Sequence, residues 1–182
     1  SEDVFYIQNR CLDFPYTRWD EHKNLYDLYW QQEGRCYPWH VIWNKLYRRE
    51  LWEYVYSELK DKSIYLTMMA DFIFSSVILS NVQTFASGRT CVNLQKEFYY
   101  YVQSENNMTS VKGNYERWKQ NIADMGRAFG EVKNFLEGKG ILPLYGQHLE
   151  QWKQRYSRYW NRNIKRTEFT DIQKDRLLEL LK

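Results

Sequence analysis

Residues 111–136 have the sequence VKGNYERWKQNIADMGRAFGEVKNFL, which holds the most regular pattern in the chain. From Val111 onward, apolar residues alternate at spacings of four and three, giving an unbroken seven-residue repeat. Such a repeat keeps one side of a helix against a neighbouring helix. We call this side the seam; after Val111 its residues are Tyr115, Trp118, Ile122, Met125, Phe129, Val132 and Leu136. The pattern predicts a long amphipathic helix, ended by Gly138 and Gly140, whose seam contacts another helix of the same protein or a second subunit.

The residues that follow this helix predict two more helices. Pro143 precedes a segment from about Tyr145 to Lys165 whose apolar residues recur at helical spacing. Thr170 and Gln173 then form a capping box, which predicts the start of a last short helix. Strand patterns bounded by Asn-Gly or Asp-Gly turns are absent from the sequence.

Four further helices are predicted toward the N-terminus, after an extended arm of residues 1–16. The first three begin at residues that favour helix starts, namely Thr17, Pro38 and Ser63. The predicted ranges, in chain order, are 17–32, 38–62, 63–85 and 92–103. The sequence therefore predicts an all-α fold: a single domain, residues 1–182, built as a bundle of six to seven helices with an extended N-terminal arm.

Aromatic residues make up 18% of the chain, with 16 Tyr, 9 Phe and 8 Trp. Tyr and Trp carry a polar edge as well as a large apolar surface, so they are enriched at interfaces. One core of this size can hardly bury every ring, which favours extensive contact with other subunits. Gly126 and Gly130 lie off the seam, where they would let another backbone approach closely.

The sequence contains no catalytic or metal-binding motif. A Gly-rich phosphate loop, an H-E-x-x-H pair, a G-x-S-x-G turn and a spaced Cys/His cluster are all missing. We therefore predict that the protein is not an enzyme and has no cofactor, no metal site and no small-molecule substrate. The three cysteines cannot all be bridged within one chain, which favours a reducing compartment or a virion over secretion; they are Cys11, Cys36 and Cys91.

The most apolar segment, residues 64–79, carries Asp71 as its single charge. A membrane span needs about 20 apolar residues, so this shorter segment predicts a buried helix and no transmembrane segment. A carboxylate in such a helix must be paired, protonated or functional. The expected explanation for Asp71 is a hydrogen bond from a Tyr hydroxyl, an ion pair with an Arg, or a position on a narrow exposed stripe of the helix.

Charge is distributed unevenly along the chain, although the net charge is only +3. Residues 1–33 hold seven acidic and three basic residues, a net charge of −4. Residues 139–166 hold seven basic residues and one acidic residue, a net charge of +6. The two ends of the chain could therefore attract each other, within one molecule or between two.

The basic residues of the second region recur on one side of the helix predicted from Tyr145 to Lys165. We call Arg155, Arg158, Arg162 and Lys165 the basic face; their spacings are 3, 4 and 3. Arg166 follows directly, and Tyr156, Tyr159 and Trp160 are interleaved. Arginine binds phosphate through paired hydrogen bonds and aromatic rings stack on bases, so these eight residues predict a nucleic-acid-binding surface. A solvated helix face, or one paired with the acidic N-terminal region, is the alternative interpretation.

Three functions fit these patterns. The first is a structural subunit that associates with itself or with other subunits and contacts the nucleic-acid backbone through the basic face. In general composition the chain resembles the helical coat proteins of filamentous viruses, those of archaea in particular, without a shared motif. The second is a secreted helical-bundle ligand, and the third is an accessory subunit of a large multi-protein complex.

Overall fold

A computed structural model describes residues 25–34, 40–42, 47–62, 66–85 and 114–182. The described residues form six α-helices and no strand, which confirms the predicted all-α class. The helices are α1 (Leu25–Gln32), α2 (Arg49–Leu59), α3 (Ala70–Phe85), α4 (Tyr115–Gly138), α5 (Leu142–Lys165) and α6 (Asp171–Glu179). The predicted arm of residues 1–16, the predicted helix 92–103, Val111 and the three cysteines lie outside the described residues.

The described residues separate into two compact units. Residues up to 62 and residues 74–85 form the first unit, while residues 66–73 and 114–182 form the second. Helix α3 therefore contributes its first turn to the second unit and the remainder to the first. The organisation as one domain stays a prediction.

The first unit has an aromatic core around α1. Tyr26, Tyr29 and Trp30 are almost completely buried, and the Tyr29 and Trp30 ring centroids lie 5.3 Å apart with an edge-to-face orientation. The hydroxyl group of Tyr29 is hydrogen bonded to Ser76 Oγ of α3 at 3.0 Å. This bond satisfies the polar edge of a fully buried ring, which would otherwise lose its hydration without compensation.

The prediction of one continuous helix over residues 38–62 is wrong. Val41 and Ile42 are not helical, and neither are Tyr47 and Arg48, so α2 begins at Arg49. In a continuous helix, residues 47 and 52 would point about 140° apart. Here the two aromatic rings at these positions are in edge contact, with centroids 5.5 Å apart. That contact requires the extended backbone that Arg48 shows, with φ −65° and ψ 148°.

The predicted start of the third helix is also displaced. Ser63 lies outside the described residues, and residues 66–69 are not helical, so α3 begins at Ala70. The backbone N–H and the hydroxyl of Thr67 both donate hydrogen bonds to the carboxylate of Asp124 in α4. These bonds hold the segment against α4 and offer its backbone an alternative to a helical turn.

Helices α4 and α5 form the core of the second unit. Six of the seam residues are at most 7% exposed and Tyr115 is half-buried; the six are Trp118, Ile122, Met125, Phe129, Val132 and Leu136. Trp118 contacts Trp160 of α5 with ring centroids 5.1 Å apart. Phe72, from the first turn of α3, lies between the two helices, 4.9 Å from the Phe129 ring and 4.5 Å from the Trp152 ring.

The connections between these helices follow from local sequence. Gly140 adopts φ +68°, its N–H bonds to the carbonyl of Glu137, and the N–H of Ile141 bonds to the carbonyl of Leu136. This pair of bonds is the Schellman motif that ends helices at a left-handed glycine. The predicted capping box at the start of α6 is confirmed, because Thr170 and Gln173 exchange hydrogen bonds of 3.1 and 3.3 Å.

Candidate nucleic-acid interface

The four residues of the basic face lie on one side of α5. Because α5 runs without interruption from Leu142 to Lys165, their spacing brings them next to one another along the helix. Arg158, Arg162 and Lys165 are exposed, and Arg155 is half-buried. Arg166, at the end of the helix, is also exposed. The buried side of α5 is formed by Tyr145, Leu149, Trp152, Trp160 and Ile164.

The exposed cations of the basic face are not neutralised within the described part of the chain. The ion pairs formed among the described residues do not include Arg158, Arg162 or Lys165. Arginine keeps its charge at any physiological pH and binds phosphate oxygens through two parallel N–H donors. These side chains can therefore meet an anionic partner without first breaking an ion pair.

The three predicted aromatic contacts differ in accessibility. Tyr159 is 52% exposed and lies one turn from both Arg155 and Arg162. Tyr156 is half-buried, and its ring contacts Phe129 of α4 with centroids 6.2 Å apart. Trp160 is only 3% exposed and belongs to the core of the second unit. The ring available for stacking on a base beside the basic face is thus that of Tyr159.

Helix α6 lies beside the basic face and completes a groove with α5. The groove is open and has a volume of about 1160 Å³. Its α5 side is formed by Arg155, Ser157, Arg158, Asn161 and Arg162. Its other side, called the α6 side, is formed by Asp175, Leu178 and Glu179 of α6 and by Leu181 and Lys182, which follow the helix. Three of the four basic-face residues therefore line the groove, whereas Lys165 and Arg166 lie beyond it.

Helix α6 is held in this position by its buried side. Leu177 is completely buried, and Phe169, just before the helix, makes edge-to-face contacts with Trp118 and Tyr115 of α4. The capping box predicts the start of α6 but carries no information on its neighbours. The contribution of Asp175 and Glu179 to the site was missed for this reason.

A buried carboxylate in α4 forms a second polar cluster in this unit. Asp124 is completely buried and accepts hydrogen bonds from the Thr67 backbone at 2.7 Å, the Thr67 hydroxyl at 2.6 Å and Gln120 at 2.7 Å. It also forms an ion pair with Arg127. The buried amide of Asn121 lies 3.2 Å from the same hydroxyl group. The cluster fastens residues 66–69 to α4.

Ionisation of Asp124 is maintained by these donors. Burial of the carboxylate works against its charge, but the hydrogen bonds from Thr67, Arg127 and Gln120 outweigh burial and hold the pKa of Asp124 below its ordinary value. Asp124 is therefore charged at neutral pH. Because the charge of Asp124 is already matched by Arg127 and three further donor groups, the cluster has the character of a structural anchor.

The sequence pattern draws attention to Asp71, whereas the structure places the fully buried carboxylate at Asp124. Asp71 is half-buried at the first turn of α3. A signal for Asp124 did exist, because Asn121, Asp124, Ala128 and Phe135 form a second stripe at helical spacing beside the seam. All four are buried. The stripe widens the buried side of α4, and buried polar residues on it require hydrogen-bond partners within the protein.

The described residues hold neither a metal-binding cluster nor a membrane-spanning helix. They contain no group of three or more His, Cys, Asp or Glu side chains placed to hold a metal ion. None of the helices formed by these residues is long and apolar enough to cross a membrane. Comparison of the chain with protein-family models, with curated proteins and with solved structures found no match.

Proposed function

We propose that this protein is a non-enzymatic structural subunit that self-associates and binds the backbone of nucleic acid through the basic face of α5, as a coat protein does. The observation that carries the proposal is the set of exposed cations without ion-pair partners among the described residues, Arg158, Arg162 and Lys165. Phosphate contacts from such residues supply most of the sequence-independent affinity for nucleic acid. Tyr159 adds a ring on which a base can stack.

Self-association is supported by large apolar side chains that remain in contact with solvent. Tyr56 is 71% exposed on α2 of the first unit, and Leu144 and Ile172 are each 67% exposed on the second unit. Single exposed apolar residues are common on monomers, but Trp52, at 38% exposure, lies one turn from Tyr56, so two solvent-accessible rings share one side of α2. This pair also favours the second candidate function, an accessory subunit of a larger complex.

The salt dependence of binding tests the nucleic-acid part of the proposal. The full chain is titrated into a fluorescent single-stranded oligonucleotide at several KCl concentrations, and binding is followed by anisotropy. Because phosphate contacts release counterions, the logarithm of the affinity should fall linearly with the logarithm of salt concentration. Arg162→Gln should reduce the slope by about 0.7 to 1.

The matched control is Arg48→Gln, which removes the same charge from an exposed position in the first unit. This variant should keep the slope of the unaltered protein. Absence of binding at low salt, or an equal change of slope in both variants, would remove the nucleic-acid role. Sedimentation over a concentration series tests self-association separately, and a monomer at every concentration would contradict that part.

A further inference from the structure

The groove between α5 and α6 has two sides of opposite chemical character. The α5 side presents Arg155, Arg158 and Arg162. The α6 side presents the carboxylates of Asp175 and Glu179, together with the apolar side chains of Leu178 and Leu181 and the cation of Lys182. A surface built only to attract phosphate would not carry two carboxylates facing its arginines.

The acidic and basic side chains on the two sides of the groove do not form ion pairs with each other. Asp175 and Glu179 form no ion pair with any described residue, and neither do Arg158 and Arg162. The space between them is about 1160 Å³, slightly above the range of about 300–1000 Å³ typical of small-molecule sites. The groove therefore has room for a few nucleotides between a cationic side and an acidic side.

A nucleic-acid strand has matching chemistry on its two edges. Its phosphates are acceptors that suit arginine, whereas its base edges include donors that suit a carboxylate. Cytosine N4, adenine N6 and guanine N2 carry amino groups, and carboxylates are known acceptors for cytosine N4. The donor of thymine or uracil, N3–H, lies between two carbonyl oxygens, which repel a carboxylate. Apolar side chains such as Leu178 and Leu181 provide contact for the base rings.

The acidic side also discriminates against a duplex. In a duplex the exocyclic amino groups of the bases already donate to base-pair hydrogen bonds. Fewer of their N–H groups are therefore free to donate to Asp175 and Glu179. The phosphates of the second strand would in addition approach these two carboxylates, which disfavours binding through like-charge repulsion. A single strand avoids both effects, because its bases are unpaired and it has one backbone.

We propose that the groove between α5 and α6 binds single-stranded nucleic acid and prefers bases that carry an exocyclic amino group over thymine or uracil. Arg155, Arg158 and Arg162 hold the phosphates, and Asp175 and Glu179 accept hydrogen bonds from the amino groups. This inference rests on the proposed function and adds the strand form and the base class that the site selects.

The test compares three fluorescent probes with the full chain at low salt and pH 7.5. The probes are a 15-nucleotide oligo(dC), an oligo(dT) of equal length and a mixed-sequence 15-base-pair duplex. We expect oligo(dC) to bind about tenfold more tightly than oligo(dT), as for one good base contact, and the duplex to bind more weakly than oligo(dC). This comparison requires no variant, so its outcome does not depend on the folding of a mutant.

Two exposed substitutions then assign the preference to residues. Asp175→Asn and Glu179→Gln replace the carboxylates by amides, which can also donate to thymine carbonyls. The ratio of oligo(dC) to oligo(dT) affinity should fall toward one, while the salt slope stays the same because the arginines are intact. Arg158→Gln should have the opposite pattern: weaker binding of both oligonucleotides, a smaller slope and an unchanged ratio.

The outcomes separate this inference from the proposed function. Equal binding of the three probes, or a base preference that survives both amide variants, overturns the inference and leaves the backbone-binding role in place. No binding of any probe at low salt overturns both. Salt-sensitive self-association that Arg158→Gln abolishes, in a protein that binds no oligonucleotide, would assign the groove to contact between subunits.

Discussion

Replacing Thr67 by valine removes one hydroxyl group and keeps the backbone N–H and the approximate shape of the side chain. In the structure this hydroxyl donates to Oδ2 of Asp124 at 2.6 Å, and the Thr67 backbone N–H donates to the same oxygen at 2.7 Å. The substitution therefore takes away one of the donors that stabilise a buried negative charge. The others, from the Thr67 backbone, Gln120 and Arg127, remain.

The expected cost follows from the type of bond. A hydrogen bond to a charged group contributes about 1.5–3 kcal/mol to stability. Since the carboxylate of Asp124 keeps its other donors, we expect Thr67→Val to lower the free energy of unfolding by about 1.5–2 kcal/mol, at the lower end of that range. Asp124→Ala removes the acceptor of all four donor groups and should therefore cost more than Thr67→Val.

Urea unfolding, followed by tryptophan fluorescence and far-UV circular dichroism, measures these free energies. The measurement is repeated between pH 7 and pH 3. The pKa of Asp124 is lowered in the folded protein, so the stabilisation is fully present above the ordinary aspartate value of about 3.9 and is lost as the pH falls through the folded value. The difference between Thr67→Val and the unaltered protein should therefore be constant from pH 7 to about pH 5 and narrow below about pH 4.

The matched control is Thr167→Val. The hydroxyl of Thr167 donates to the backbone carbonyl of Ile164 at 2.7 Å, which is an uncharged acceptor. Its loss should cost about 0.5–1.5 kcal/mol, with no dependence on pH over this range. A cost below about 0.5 kcal/mol for Thr67→Val, or one that does not change between pH 5 and pH 3, would refute the role assigned to Asp124.

Three further predictions concern α4 and the turn that ends it. Ile122→Ala should lower the free energy of unfolding by about 2–5 kcal/mol because the Ile122 side chain is completely buried. Its control, Asn134→Ala, is at an exposed position and should change the free energy of unfolding by less than about 0.5 kcal/mol in the same urea experiment. Gly126→Ala and Gly130→Ala should each raise the melting temperature, by an amount corresponding to about 0.5–1 kcal/mol, because a Cβ at either position meets no atom within 4 Å. If a second subunit approaches the helix at these glycines, the same two variants will associate more weakly in a sedimentation experiment. Gly140→Ala should lower the melting temperature, because φ +68° is strained for alanine.

The parts of the fold that were predictable from the sequence are those set by local pattern. The seam and the capping box at Thr170 depend on residues within one or two turns of each other, so spacing alone identifies them. The starts of α2 and α3 depend on contacts that spacing does not show. Tyr47 lies outside α2 and contacts Trp52 within it, and Thr67 lies before α3 and is hydrogen bonded to Asp124, 57 residues later.

The parts of the candidate site that lie on α5 were predictable from the sequence, and the part contributed by α6 was not. The spacing of the basic face follows from a single helix, and α5 brings its members together as expected from that spacing. The burial of Trp160 follows from the same logic, because Trp160 continues the apolar series of Leu149, Trp152 and Tyr156 on the other side of α5. The acidic side of the groove was not predictable, since it depends on how α6 returns along α5 after residue 166.

The division of α3 between the two units has a consequence for synthesis of the chain. Phe72, in the first turn of α3, needs Phe129 and Trp152 as neighbours, and Trp152 is added 80 residues later. At about 5–20 residues per second, the ribosome requires about 4–16 s to add these residues. Throughout that interval the first-unit residues that contact the rest of α3 have already been added to the chain. The second-unit residues that contact Phe72 and Thr67 have not all been added. The second unit therefore cannot close before Trp152 has been added, and residues 66–73 are the stretch that a chaperone would have to shield until then.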